Sequence, residues 1–210
     1  VARDLRRLTQ AARAIGEGDL NVTLHIRRRD EIGDLARSFV VMQHKLRTDR
    51  LTGLVNRETL LRRLDDRVAF HRRADDQLPF AVLFIDLNGF KAINDRHGHD
   101  VGDRVLVALG RRLRQGMREG DLVSRYAGDE FVILVEQVAN REIAEQVRAH
   151  VEALLREPLA DDVGLGPNAT LDVGGAVGLA VYPDDGRDSD SLLQAADRDM
   201  YERKRQARQL

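Results

Sequence analysis

Apolar residues recur at the start of the chain at Leu5, Leu8, Ala12 and Ile15, three or four positions apart. This is the a/d seam of a short helix that packs on partner helices, and Gly16 and Gly18 end it. Leu20, Val22, Leu24 and Ile26 then alternate with Asn21, Thr23 and His25, the pattern of an extended connector resting one edge on an apolar surface. A second seam, Ile32, Leu35, Phe39, Met42 and Leu46, has polar residues such as Asp34, Arg37 and Gln43 outside it. Residues 1–47 are therefore expected to run helix, connector, helix.

Beyond a short link the pattern changes. Asn56 is a plausible N-cap for a helix carrying Leu60, Leu61, Leu64, Val68 and Phe70 to about Arg73, and residues 75–79 break it. The continuous apolar run from Phe80 to Asp86 reads as a buried strand. Val105, Leu106, Leu109 and Leu113 mark one face of a helix over residues 101–117. Residues 121–126 and 130–135 read as paired strands around a tight turn in which Gly128 supplies a permissive backbone. A helix over 141–155, one or two strands within 169–181 and a last helix from Ser189 to about Arg208 complete the layout. Helices alternating with a hairpin-containing sheet imply an α+β or α/β sandwich.

Composition narrows the chemistry. The 210 residues carry 34 basic and 35 acidic side chains, a net charge of -1, so no overall basic field invites a nucleic-acid backbone. Aromatic residues are only 4%, too few for a base-stacking platform. The absence of cysteine excludes disulfides, thiolate zinc sites and a cysteine nucleophile. His97 and His99 without a nearby thiol make a poor zinc site. The longest apolar runs are too short to cross a bilayer. The chain opens at Val1 inside a polar helical pattern, so it reads as a piece of a longer protein.

Carboxylates then become the focus. Asp86 closes an apolar strand, and Asp129 and Glu130 sit at the tip of the hairpin. If the two strands are neighbours these groups converge, and clustered carboxylate oxygens beside a phosphate are hard ligands for Mg²⁺ or Mn²⁺. Leu87, Asn88, Gly89, Phe90 and Lys91 lead from Asp86 into a helical turn, whose free N–H groups can hold phosphate oxygens while Lys91 adds a point charge. Taken singly, a strand-end aspartate is more often a turn former, and an acidic hairpin tip is more often solvated.

Two resemblances go further. Residues 1–47, with Asp30-Glu31-Ile32-Gly33 opening the second helix, resemble the HAMP signalling module. That implies a parallel dimeric four-helix bundle, a homodimer through these helices and membrane attachment through a segment before residue 1. An ordinary dimerisation coiled coil is the alternative. Residues 48–210 resemble the GGDEF diguanylate cyclases through Asp49-Arg50-Leu51-Thr52-Gly53-Leu54-Val55-Asn56-Arg57, through Phe84 to Asp95 with Gly98-His99 and Gly102-Asp103, and through Tyr126-Ala127-Gly128-Asp129-Glu130-Phe131. Ala196-Asp197, Met200-Tyr201 and Lys204 resemble the closing helix of that family.

The resemblance implies a nucleotide-cyclase-like α+β domain with a central, mostly antiparallel sheet, which condenses two GTP into cyclic di-GMP. It assigns Asp86, Asp129, Glu130 and the carbonyl of Leu87 to Mg²⁺ or Mn²⁺, two ions per site, with Glu130 also helping to deprotonate the attacking hydroxyl. Asn94 and Asp103 would read guanine. The Leu87 to Phe90 loop with Lys91, Lys204 and Arg208 would meet the triphosphate. Arg118 and Asp121 fall where the family places an RxxD site for inhibition by cyclic di-GMP. The implied setting is the cytoplasmic portion of a bacterial inner-membrane protein. Ala127 in place of the first signature glycine and Asn88 in place of a frequent acid are departures, and they keep open a degenerate domain that binds GTP or cyclic di-GMP without turnover.

Overall fold

The computed structural model describes residues 2–16, 22–24, 28–73, 78–159, 163–165, 171 and 173–207. Two compact units divide the chain, Val1–Arg50 and Leu51–Leu210.

The first unit contains helices α1 (Ala2–Gly16) and α2 (Glu31–Arg47). Asp30 caps α2 by accepting from the Gly33 N–H at 3.2 Å. Arg28 bridges Asp30 to Asp4 of α1, and its hydrogen bonds pull the Asp30 carboxyl down to about 2. Gly33 is required here because a Cβ would meet the Arg28 carbonyl at 2.2 Å. The buried contacts are Leu8, Ala11, Ala36 and Phe39. The expected seams are thus split: Ala11 is buried rather than Ala12, while Leu5, Leu35, Met42 and Leu46 stay exposed. A pair of helices can cover only one flank of each stripe, whereas a four-helix arrangement needs both. Residues 22–24 have no regular structure, and Gln43 donates from Nε2 to the Val22 carbonyl at 2.8 Å. Leu20 and Ile26 of the connector lie outside the described residues.

The second unit runs β1 (Val55–Asn56), α3 (Arg57–His71), β2 (Ala81–Leu87), α4 (Phe90–His97), α5 (His99–Gly116), β3 (Leu122–Ala127), β4 (Glu130–Val135), α6 (Arg141–Arg156), β5 (Gly175–Val181) and α7 (Ser189–Ala207). Among the described residues its five strands are ordered β1-β3-β4-β2-β5, and of their pairings only β1–β3 is parallel. The expected α+β sandwich with a mostly antiparallel sheet is observed. Asn56 caps α3 through the Thr59 N–H at 3.0 Å. One element was not read from the sequence, β1, which is two residues long, and the helical turn expected after Asp86 runs on as a full helix, α4. Gly98, at φ 85°, separates α4 from α5 in a conformation that other residues resist.

Strand alternation sorts the core into two layers. Leu83, Ile85, Phe131, Ile133 and Val177 face α5 and α6, while Val82, Phe84, Val132, Leu134 and Ala180 face α3 and α7. Asp86 and Glu130 continue the second series, so both lie on the α7 side. Helix α7 comes unusually close to that face at Gly178, where a Cβ would meet the Ala196 carbonyl at 2.0 Å and the Met200 nitrogen at 2.3 Å. Asp199 of α7 also accepts from the Leu179 N–H of edge strand β5 at 2.9 Å. The backbone approach and this anchor set where the exposed side of α7 meets the sheet end.

Candidate functional site

Asp86 and Glu130 are register partners on adjoining antiparallel strands, directly opposite each other where β2 and β4 reach the turn. The turn is tied down by the Leu87 N–H, which donates to the Asp129 carbonyl at 3.4 Å. Within it the left-handed conformation falls on Gly128, at φ 51°, and Ala127 is not among the positive-φ residues. Alanine therefore meets no backbone penalty at the position where the signature departs from type.

Burial raises the Glu130 carboxyl above its ordinary range, and the negative charges of Asp86, Asp197 and Asp129 raise it further, against the opposing effect of Lys204. Lys204, descending from α7, forms an ion pair with Asp86, and both side chains are about four-fifths buried, at 21% and 19% exposure. Asp197 is a contributor that the sequence reading quoted but did not place in the site. Helical spacing puts it two turns before Lys204, and that periodicity was the available signal.

On the other side of Asp86 the chain turns into α4. The Asn88 N–H donates to the Gly174 carbonyl at 2.8 Å, and Gly89, at φ 72°, caps α4 without any side-chain hydrogen bond. The first intrahelical bond is Ile93 N–H to the Gly89 carbonyl. The N–H groups of Phe90, Lys91 and Ala92 thus have no intrahelical acceptor, the arrangement that receives anions. Leu87, Gly89, Phe90, Lys91, Ala92, Asp95, Asp129 and Lys204 line one depression of about 430 Å³. Of the expected phosphate and metal residues, Leu87, Gly89, Phe90, Lys91, Asp129 and Lys204 line it, and Lys204 pairs with Asp86.

Asn94 and Asp103 stand on neighbouring helices. Gly102 permits this, because a Cβ on it would meet Asn94 Oδ1 at 1.9 Å. Asn94 is half-buried and Asp103 exposed, which leaves a carboxylate and an amide available as a hydrogen-bonding pair. The role of Gly102 in seating Asn94 is a feature that only the helix packing reveals. Arg208 lies outside the described residues.

Arg118 and Asp121 are separate from this group. Arg118 is exposed, but Asp121 is buried and accepts from the Arg118 N–H at 3.2 Å and from the Glu136 N–H at 3.0 Å. Asp121 therefore holds the turn before β3. Arg63, Arg67, Arg118, Asp121 and Glu136 share an open depression there.

The acidic centre suits a hard divalent cation by its donors. All are oxygens, and beyond the effect of burial the charges of Asp86, Asp197 and Asp129 raise Glu130 against the opposing Lys204, the mark of clustered negative charge. Among the described residues no three carboxylates or imidazoles already converge on one point. A cation held here would draw the remaining ligands from phosphate oxygens or water, as Mg²⁺ commonly does.

Comparison with known proteins identifies the family. Residues 46–210 match the family described as diguanylate cyclase, GGDEF domain, and residues 1–48 match the HAMP domain. The chain is 38% identical over 182 residues to diguanylate cyclase TpbB of Pseudomonas aeruginosa, covering 87% of this chain but 39% of that protein. It thus spans about two fifths of the length of that relative. The crystal structure of the GGDEF domain of TpbB from Pseudomonas aeruginosa is similar with a TM-score of 0.67 and 36% identity, covering 74% of this chain and 92% of that one. A microbial GGDEF domain solved with cyclic di-GMP is similar with a TM-score of 0.62 and 29% identity, covering 78% and 93%. Among the described residues no helix is long and apolar enough to cross a membrane. The chain belongs to the GGDEF diguanylate cyclase domain family, with a HAMP domain at its N-terminal end.

Proposed function

We propose that the domain formed by residues 48–210 is a diguanylate cyclase that condenses two GTP into cyclic di-GMP and two pyrophosphates. The observation that carries this reading is the pairing of Asp86 with Glu130 at the sheet end, beside the uncapped start of α4 and Lys204. The Phe90, Lys91 and Ala92 N–H groups and the Lys91 and Lys204 ammonium groups grip the triphosphate, with Arg208 as a further contact. Asn88 and Gly89 shape the loop that lets the backbone approach it. Asn94 and Asp103 read the guanine edge, the carboxylate accepting from N1–H and the amino group.

Asp86, Asp129, Glu130 and the Leu87 carbonyl would hold Mg²⁺ or Mn²⁺, two per site, which when bound lowers the hydroxyl pKa and neutralises charge on the α-phosphate. Glu130, opposite Asp86 at the end of the strand pair, accepts the proton of the attacking 3′-hydroxyl. The 3′ oxygen bonds to the α-phosphorus of the opposing GTP, and the bond to pyrophosphate breaks. Each domain offers one such site, so two must face each other. The exposed Leu5, Leu35, Met42 and Leu46 support a parallel four-helix bundle built from residues 1–47 of two chains. In this reading a membrane segment precedes residue 1, the domain works on the cytoplasmic side in a bacterium, and cyclic di-GMP binds at Arg118 and Asp121 to inhibit.

The test is incubation of the protein with GTP and Mg²⁺, with product identified by mass spectrometry. Cyclic di-GMP should appear, and Glu130→Gln should lower the rate by about a hundredfold or more. Binding of GTP without product would favour the non-catalytic reading, and a full rate in the variant would remove Glu130 from its role. The absence of positive φ at Ala127 takes away the chief structural motive for that rival.

A further inference from the structure

The strand leading into the acidic turn is irregular. Arg125 pairs with Phe131 and Ala127 with Glu130, so Tyr126 is the extra residue of a β-bulge. A bulge bends its strand and re-aims the side chains that follow. Tyr126 is held on two sides. Its ring meets Phe84 edge-on with centroids 5.3 Å apart, and the guanidinium carbon of Arg57 lies 4.8 Å from the ring centroid. Arg57 opens α3 immediately after β1, whose Asn56 is the register partner of Arg125. Arg125 in turn donates from Nε to the Gly128 carbonyl at 2.9 Å. A continuous set of contacts therefore runs from residues 55–57, across the bulge, to the peptide that carries Asp129.

We propose that Arg57 is a positioning residue for the acidic turn: its cation over Tyr126 holds the bulge in the one shape that sets Glu130 opposite Asp86, with Asp129 beside it in the turn. β1 offers only two residues of ladder, so side-chain contacts carry much of what holds residues 55–57 against β3. The ring face of a tyrosine attracts a cation through its quadrupole, and an Arg can lie flat on it in a way that an uncharged side chain cannot reproduce. Arg57 appears among neither the lining of the nucleotide depression nor the charges acting on Glu130. Its effect must pass through Tyr126. In sequence, β1 follows α2 by eight residues, from Arg47 to Val55.

The catalytic part of this inference rests on the cyclase reading, and its structural part does not. The experiment uses the full chain as Arg57→Ala, Arg57→Lys, Arg57→Met and Tyr126→Leu. Turnover, binding of a non-hydrolysable GTP analogue and hydrogen exchange of the amides of residues 127–130 are measured for each. Arg57→Ala, Arg57→Met and Tyr126→Leu should each lower kcat about fivefold, with KM and analogue affinity within about twofold of the parent. Exchange at residues 127–130 should quicken by about the same factor while α5 is unchanged. Arg57→Lys should restore part of both, because an ammonium supplies the charge without the flat stacking, and combining Arg57→Ala with Tyr126→Leu should add little to either alone.

Unchanged turn exchange in Arg57→Ala would overturn the proposal, as would full rescue by Met or a loss confined to KM. If the parent makes no cyclic di-GMP, the cyclase reading falls, and the exchange measurements still decide the positioning role.

Discussion

A methyl group on Gly102 would meet Asn94 Oδ1 at 1.9 Å, Asn94 Cγ at 3.0 Å and Phe90 Cζ at 3.3 Å. All three atoms belong to side chains of α4, so Gly102→Ala can be relieved by turning Asn94 away without moving a backbone. The fold should tolerate this. Alanine is favoured over glycine in a helix interior by about 1 kcal/mol, which offsets much of the crowding, so net stability should change by no more than about 1 kcal/mol. What is lost is the seat of Asn94. If Asn94 reads guanine, each neutral hydrogen bond forfeited removes about 0.5–1.5 kcal/mol, or about two- to twelvefold in GTP affinity.

Calorimetric titration with non-hydrolysable GTP and ATP analogues, beside urea unfolding, separates the possibilities. Loss of preference for the guanine nucleotide with stability retained supports the assignment. Equal loss for both nucleotides would trace instead to Phe90 and the phosphate loop. Parent-like affinity and selectivity would refute the reasoning, since the displaced amide would then have no part in recognition.

Gly178→Ala should behave in the opposite way, because the atoms met at 2.0 and 2.3 Å are the Ala196 carbonyl and the Met200 nitrogen. Backbone cannot rotate aside, so unfolding should show a loss of about 1–3 kcal/mol or more, and turnover should fall as α7 carries Lys204 away from Asp86. Glu130→Gln should raise the melting temperature of the metal-free protein at neutral pH. The folded-state pKa of Glu130 is raised, so its favourable contribution is present below the ordinary glutamate value and is lost as pH rises through the raised one. The advantage of the variant should therefore vanish below about pH 4, and an advantage that persists there would contradict the electrostatic cause. Arg118→Ala should relieve inhibition by added cyclic di-GMP with stability kept. Asp121→Ala should also cost about 1–3 kcal/mol by stranding two N–H groups, so matching inhibition curves for Arg118→Ala and the parent would dismiss the product site.

Much of the fold is legible in the sequence because the core strands carry unbroken apolar runs and the helices keep clean apolar faces. The Phe80–Asp86 run and the 130–135 run become adjacent strands, and that adjacency makes Asp86 and Glu130 partners. Where reading falls short, the missing information is relational. β1 is invisible because two residues have no periodicity, and it exists only through its partner β3. The split of the α1 and α2 seams depends on which flank a neighbour covers, which a heptad pattern does not specify. Asp121 looks like half of a binding motif in sequence, yet its burial shows that it also does a turn's structural work. Asp197 and Gly102 gain meaning only when α7 and α5 are packed.

On the cyclase reading, the Lys204–Asp86 pair bears on how nucleotide and metal binding are coupled. A single ammonium cannot neutralise Asp86 and a triphosphate at once in a site this buried. Nucleotide that draws Lys204 toward phosphate leaves Asp86 beside Glu130 and Asp129 with their charges unopposed, which is costly in a partly desolvated place. A divalent cation at the same carboxylates removes that cost. On that reading the two ligands are expected to bind with positive coupling, each strengthening the other by the same factor. The Glu130 carboxyl, raised by burial and then by its acidic neighbours, and the ion pair on Asp86 both arise from placing Asp86 and Glu130 opposite each other at the end of two adjoining strands.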